Sequence, residues 1–438
     1  MRKIHRPFLI LLAASIAWAG VDKIPRVLSI RERVDLVNAV TLKRLDRLLP
    51  RVMRESGFDM WIIAANEDQP DAVLQTMIPY NTWNRRTQVV VFFDRGPEEG
   101  VERLNVSKMN MRGFHKNSWD SRKEGQWECL ARIVAERDPR RIGINESEVI
   151  WAADGLSSAL KRNLLDALGP RYEERIQSAE KLATLWLETL LDGEIELMKR
   201  AVEISHALIA ETYSRAVITP GVTTVDDLVY NYWQRALDLG LEKAFNPSFS
   251  LRRGPKEWER YGRDDRIIRR GDLIHCDLGI IYLRYYTDHQ EWAYVLRQGE
   301  PDVPESFRKA LAEGNRLQDI FAREFKAGLT GNELLRNILA RAKGEGIPGP
   351  RVYSHSLGYF LHEPGPLIGL PDEQENTGGR GEVRLVPNSA FTAEMSIDFP
   401  IPEWDGRPLR LGIEQDIAFT SQGVVFLDGR QTKFHLVR

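Results

Sequence analysis

Cysteine is almost absent: Cys129 and Cys276 are the only two among 438 residues, which excludes an extensive disulfide framework. Both read as free structural thiols, and nothing around either supports a nucleophilic-thiol mechanism. Charge of one sign is missing too. The formal net charge is −2, with no strongly basic half, which argues against nucleic acid as the main partner. The arginines between Arg252 and Arg270 are interleaved with Glu257, Glu259, Asp264 and Asp265, as on a solvated loop. After the first 19 residues no apolar run approaches the length needed to span a bilayer, so no stable membrane span is expected. There is no P-loop, no dinucleotide fingerprint and no close repeat. The remaining composition, 42% hydrophobic and 28% charged, is that of a globular chain long enough for two domains with full cores.

Residues 1–19 have the pattern of a secretory signal: Arg2, Lys3 and Arg6, an apolar run from Phe8, and a small-x-small site at Ala17-Trp18-Ala19. Export to periplasm or medium is the expectation. Leu36, Val40, Leu45, Leu48, Leu49, Val52 and Met53 then recur near helical period, and the helix should stop at Gly57. Strands are expected at Met60 to Ala65, Gln88 to Phe93 and Arg141 to Ile144, with a helix from Leu156 to Leu168, which makes a small α/β domain. Near Ser178 to Gly193 this pattern gives way to longer helices. Ile195, Met198, Ala201, Val202, Leu208 and Ile209 mark one, and Thr224 with Asp227 three residues on caps the next.

The chemistry is concentrated in the last third. Asp277 in GDLIHCDLG, Asp288 in YYTDHQ, Glu394 in FTAEMS and Glu414 in LGIEQD each interrupt an apolar run, where an unpaired charge is costly to bury. His355 in YSHSLGYFLHE joins them. Four carboxylates in one pocket would repel one another and protonate unless cations sat among them. Two divalent ions balance the charge. An oxygen-rich set with one imidazole suits manganese or a similar ion, with cobalt or zinc as alternatives. Leu273 to Ile280 and Tyr285 to Leu296 read as a hairpin carrying the two aspartates, and strands from Phe391 to Met395 and from Gly412 to Phe419 are expected to carry the two glutamates.

The order Asp, Asp eleven residues on, His, Glu, Glu resembles the pita-bread metallopeptidase superfamily of methionine aminopeptidase, aminopeptidase P and prolidase. In that superfamily the metal histidine is followed seven residues later by a second histidine opening a His-Glu pair, and here His362-Glu363 follows His355 at that interval. Ser354-His355-Ser356-Leu357-Gly358 is most similar to the Xaa-Pro aminopeptidase and prolidase branch. The resemblance covers about residues 190–438. It implies an α+β fold: a pita-bread catalytic domain, 186–438, preceded by a smaller creatinase-like α/β N-terminal domain, 20–185. It also implies a homodimer, a peptide substrate, and a dinuclear hydrolase in which a metal-bridging hydroxide attacks the scissile carbonyl. Asp277 and Glu414 would be shared by both metals, Asp288 would hold one, and His355 and Glu394 the other. Glu394 would shuttle the proton, and His362 would stabilise the tetrahedral intermediate.

The departures from the pattern fall on the substrate side. Arg260, followed by the matching Tyr261, stands where relatives carry a histidine, and Arg351 stands four residues before His355 where another histidine is common. Glu291 and Gly412 occupy positions where arginine is frequent. Arginine does not exchange protons at neutral pH. Arg260 and Arg351 are therefore candidates to clamp a substrate carboxylate, alongside Tyr261 and His362 as substrate contacts. The competing reading is a protein that keeps the metal cage but acts as a catalytically silent binding module.

Overall fold

The computed structural model describes residues 24–83, 85–362 and 364–438; the expected signal at 1–19 and Glu363 lie outside them. The first helix, Ile30–Ser56, starts at a capping box in which Ser29 accepts from the Glu32 amide, and it ends at Gly57 with φ 74°, a left-handed conformation that costs glycine little. Its apolar face, Val37, Leu45, Leu48, Leu49, Val52 and Met53, is buried. Strand Met60–Ala65 follows, buried at every position, and it is central: it pairs antiparallel with Gln88–Asp94 and parallel with Ile142–Ile144. The six-stranded sheet is completed by Val101–Asn105 and Lys116–Asn117 on one side and Ile176–Ser178 on the other.

Helices Glu180–Glu188, Asp192–Thr212 and Val225–Asp238 come next, the last opening on the Thr224–Asp227 capping box. The remaining strands form smaller sheets. One runs in the order His435–Val437, His289–Val295, Leu273–Leu278, Ser248–Arg252; another in the order Leu367–Ile368, Ser354–Leu357, Ser389–Thr392, Asp416–Thr420, Gly423–Phe426. Helices Glu305–Glu324 and Gly331–Gly344 pack with Met395–Pro400 and Pro408–Ile413 around a second core. The architecture is α+β, a pita-bread unit preceded by an α/β sheet. Both cysteines are free and buried. Among the described residues no helix is long and apolar enough to cross a membrane.

One expectation needs correction. Asp288, Glu394 and Glu414 do not sit within continuous strands: Tyr285–Tyr286 stops before His289–Val295, Ser389–Thr392 before Met395–Pro400, and Pro408–Ile413 before Asp416–Thr420. A residue inside a ladder must alternate up and down with its neighbours. At a strand break that constraint is lifted, so three carboxylates turn toward one centre from three chain segments. Asp277 and His355 remain inside strands.

The hairpin that delivers Asp288 turns at Leu283 and Arg284, with φ 54° and 74°, between the paired Tyr282 and Tyr285. Two consecutive left-handed residues match the twist of a two-residue hairpin but ordinarily call for Asn-Gly, and each non-glycine there costs about 1–3 kcal/mol. Tertiary contacts hold it. Leu283 is buried, and Arg284 donates to Thr41 Oγ1 (3.3 Å) and to the Ile78 carbonyl (3.1 Å). Earlier in the same hairpin Gly279 is obligatory, because a Cβ there would lie 1.8 Å from the Thr287 carbonyl oxygen.

Candidate metal centre

His355 and the carboxylates of Asp288 and Glu414 meet in the interior. His355 Nε2 lies 3.7 Å from Asp288 Oδ2 and 4.0 Å from Glu414 Oε1, and the three residues offer ligand atoms all within 4.8 Å of one another. Asp288, His355 and Glu414 are 5%, 1% and 1% exposed. Glu394 is tied to the group by Gln290, whose Nε2 donates to Glu394 Oε1 at 2.8 Å and to Glu414 Oε2 at 3.0 Å. Asp277 faces Gln290 across the ladder between Leu273–Leu278 and His289–Val295.

The electrostatics show what this set lacks. Burial, and then the charges of Asp277 and Glu394, push the Asp288 carboxyl well above the usual range; burial, then Asp288, Glu394 and Asp277, do the same to Glu414. Burial raises Asp277 to about 6, and burial outweighs the Gln290 hydrogen bond to raise Glu394 to about 8. Asp288 Oδ1 and Glu414 Oε1 are buried with no hydrogen-bond partner among the described residues. Orphaned buried carboxylate oxygens are rare in proteins, and these two lie beside a histidine held neutral by burial, its pKa down to about 3. A donor set of hard oxygens and one neutral imidazole is what a divalent cation requires.

The same shifts set a pH dependence for the metal-free protein. A carboxyl whose folded pKa lies above its unfolded value stabilises the fold fully below the unfolded pKa and loses that contribution as pH rises through the folded one. Asp277 moves from 3.8 to about 6 and Glu394 from 4.5 to about 8. Chelator-treated protein should therefore melt at falling temperature as pH is raised from about 5 to about 8. A level or rising midpoint over that interval would contradict the buried acidic cluster.

Two supporting residues escaped the sequence reading. Gln290 is one; the signal was its place in the second strand of the expected hairpin, where it pairs directly with Asp277. Asp416 is the other, two beyond Glu414: it is buried and accepts the Asp288 amide at 3.3 Å. Groups that fix ligand orientation typically contribute 10- to 100-fold in metal affinity. Gln290→Leu should weaken metal binding by about that factor, measured by calorimetric titration, and an unchanged affinity would assign the amide a packing role only. Behind this face Glu291 takes a hydrogen bond from His435 Nε2 (2.5 Å) and another from Gln415 (3.2 Å). Against the burial that would raise it, the His435 hydrogen bond and charge, with the nearby His206 and His289, hold its carboxyl down at about 2.

On the substrate side, the His362 ring stands edge-on to His355 with centroids 4.5 Å apart, and its Nε2 is 3.3 Å from the Tyr353 hydroxyl. Arg351, in the two-residue strand Arg351–Val352, lines a cavity that also touches Glu394. Arg260 and Tyr261 lie elsewhere, at the end of helix Pro255–Tyr261, where Arg260, Arg253 and Arg269 surround the Tyr261 ring at 5.1, 5.5 and 4.2 Å. Neither belongs to the lining of the cavity at Glu394.

Similar proteins share this architecture. The X-Pro aminopeptidase of Thermotoga maritima superimposes with a TM-score of 0.63 at 21% identity, covering 88% of this chain and 100% of that one. The Xaa-Pro dipeptidase of Bacillus anthracis gives 0.60 at 17% identity, covering 90% and 99%. In sequence, a "Probable dipeptidase PepE" of Mycobacterium tuberculosis is 28% identical over 169 residues. That match spans 38% of this chain and 39% of the mycobacterial protein, less than half of either. The model of metallopeptidase family M24 matches residues 196–423, a stretch that contains Asp277, Asp288, His355, Glu394 and Glu414. The chain belongs to metallopeptidase family M24.

Proposed function

We propose that this chain is an exported dinuclear metal-dependent hydrolase of peptide bonds, of the Xaa-Pro aminopeptidase or prolidase type, working as a homodimer, with units at 20–185 and 186–438. The observation that carries the proposal is the pair of orphaned oxygens, on Asp288 and Glu414, in a buried cluster with His355 that the half-buried Asp277 and Glu394 adjoin. Asp277, Asp288, His355, Glu394 and Glu414 would hold two divalent ions, manganese first, which when bound supply Lewis acidity toward a carbonyl and toward water. The protein's own groups do the rest. Glu394, whose Oε1 accepts from Gln290, would take up a proton and return it to the leaving amine. His362, exposed and within hydrogen-bond distance of the Tyr353 hydroxyl, would donate to the substrate carbonyl as charge develops on it.

The test is turnover of Xaa-Pro dipeptides and longer Xaa-Pro peptides with added Mn²⁺ and with chelator. Hydrolysis that requires metal is expected. Stoichiometric metal binding with no turnover of any peptide would favour the silent binding module instead.

A further inference from the structure

Beside the metal set lies a cavity of about 220 Å³ whose lining includes Glu394 itself, so whatever fills it touches the reaction centre. At about 30 Å³ per molecule of liquid water, it has room for roughly seven waters or one peptide side chain. Its wall carries three guanidinium groups, those of Arg252, Arg351 and Arg410. Arg410 is committed, paired with both oxygens of Asp398 at 2.9 and 3.0 Å. The other two are not. Among the described residues Arg252 donates only to the Leu251 carbonyl (3.1 Å), and Arg351 only to the Pro371 carbonyl at 3.4 Å. Neither has a carboxylate within 4.0 Å among the described residues.

Among the described residues one further acid lines this wall, the exposed Asp372, whose charge acts on Arg410; three guanidiniums against Asp398 and Asp372 leave the cavity net positive once Glu394 serves a metal. His275 also lines the cavity, its ring tilted against Trp292 with centroids 4.6 Å apart, and its buried Nε2 has no hydrogen-bond partner among the described residues. Val352 and Met395 add apolar surface against which methylene groups can lie. The space depends on Gly412: a Cβ there would come within 2.9 Å of Gln290 Oε1.

Two guanidiniums with unused donors, an apolar floor and a metal carboxylate at the end make a site for a flexible anion. We infer that this cavity is a substrate subsite for a carboxylate carried by the peptide, gripped by Arg252 and Arg351. This rests on the peptidase reading above and narrows it to peptides bearing a carboxylate near the scissile bond. The carboxylate has two sources, an acidic side chain or the C-terminus. Guanidinium pairs with either in the same planar, two-point manner.

The experiment uses the metal-reconstituted full chain and matched peptides that differ only as Glu against Gln, or as free against amidated C-terminus. In one of the two pairs the carboxylate form should have kcat/KM about tenfold or more above its amide, the size of a charged hydrogen-bond contribution. Arg252→Gln and Arg351→Gln should each bring that ratio toward one, and the pair affected identifies the source. A ratio near one for both pairs in the native protein, or a ratio unchanged in both variants, overturns the subsite. If no peptide is hydrolysed, the peptidase reading fails. The subsite is then decided by calorimetric titration with reduced-amide peptides that cannot be cleaved, where the same ratios are expected in Kd and their absence rejects it.

Discussion

Glu414→Gln is expected to lower metal-dependent peptide turnover by about a thousandfold, ~4 kcal/mol of lost transition-state stabilisation, while raising the melting temperature of the metal-free protein. The opposite signs come from one cause. Glu414 is 1% exposed, and burial together with the charges of Asp288, Glu394 and Asp277 holds its carboxyl well above the usual range. An amide of the same shape removes one anion from that crowd, which relieves the metal-free fold. It also removes the charge that a cation needs, and presents a nitrogen where the anionic oxygens stood. Metal content per chain, turnover, and melting with chelator measure the three quantities. Turnover within tenfold of the native protein at unchanged metal content would remove Glu414 from the metal set.

The largest expected loss of stability lies away from the metals. Arg44 is fully buried in the first helix, with Nη1 donating to both Glu194 oxygens (3.0 and 2.9 Å) and to the Thr189 carbonyl (2.8 Å), and Nη2 to the Trp186 carbonyl. Its guanidinium lies over the rings of Trp186 and Tyr359 at 4.6 and 4.9 Å. Glu194 Oε1 also accepts the hydroxyls of Tyr285 and Tyr359, each at 2.8 Å. Removing one partner of a buried pair leaves the other charge uncompensated and costs about 3–5 kcal/mol. Arg44→Met should do so, seen as a lower denaturant midpoint at unchanged slope. Arg44→Met combined with Glu194→Leu should recover part of the loss, because the stranded carboxylate is gone. A single variant as stable as the native protein would show that the pair is solvated.

The parts of this molecule that obey local rules were readable in its sequence. Strand Met60–Ala65 and the stop at Gly57 were placed by β-branched and apolar runs and by a left-handed glycine cap, and the Thr224–Asp227 box by its spacing. Asp288, His355 and Glu414, whose ligand atoms the fold brings within 4.8 Å of one another, were picked out with Asp277 and Glu394 by charge inside apolar runs and by their order. What local rules do not encode is where a strand breaks. Phe391 to Met395 and Gly412 to Phe419 look continuous, yet each is interrupted at its glutamate, because convergence on a common centre is decided by segments far apart in the chain. The cavity wall escaped for the same reason: Arg252 reads as one arginine in a mixed-charge stretch, and only the fold sets it beside Arg351 and Glu394. Arg260 was singled out by its place in a family pattern, and in the fold its guanidinium lies over the Tyr261 ring, a contact the pattern does not specify.

The strained turn at Leu283 and Arg284 has a bearing on how the protein can be divided. Its anchors, Thr41 and the Ile78 carbonyl, belong to the part of the chain that contributes no ligand, and one continuous core joins residues of both parts. Four residues beyond Arg284 comes Asp288. A truncation that starts the polypeptide after residue 185 would therefore surrender more than a neighbouring unit: it would free the bend that aims an aspartate at the candidate metal centre. The catalytic half is not a transplantable cassette.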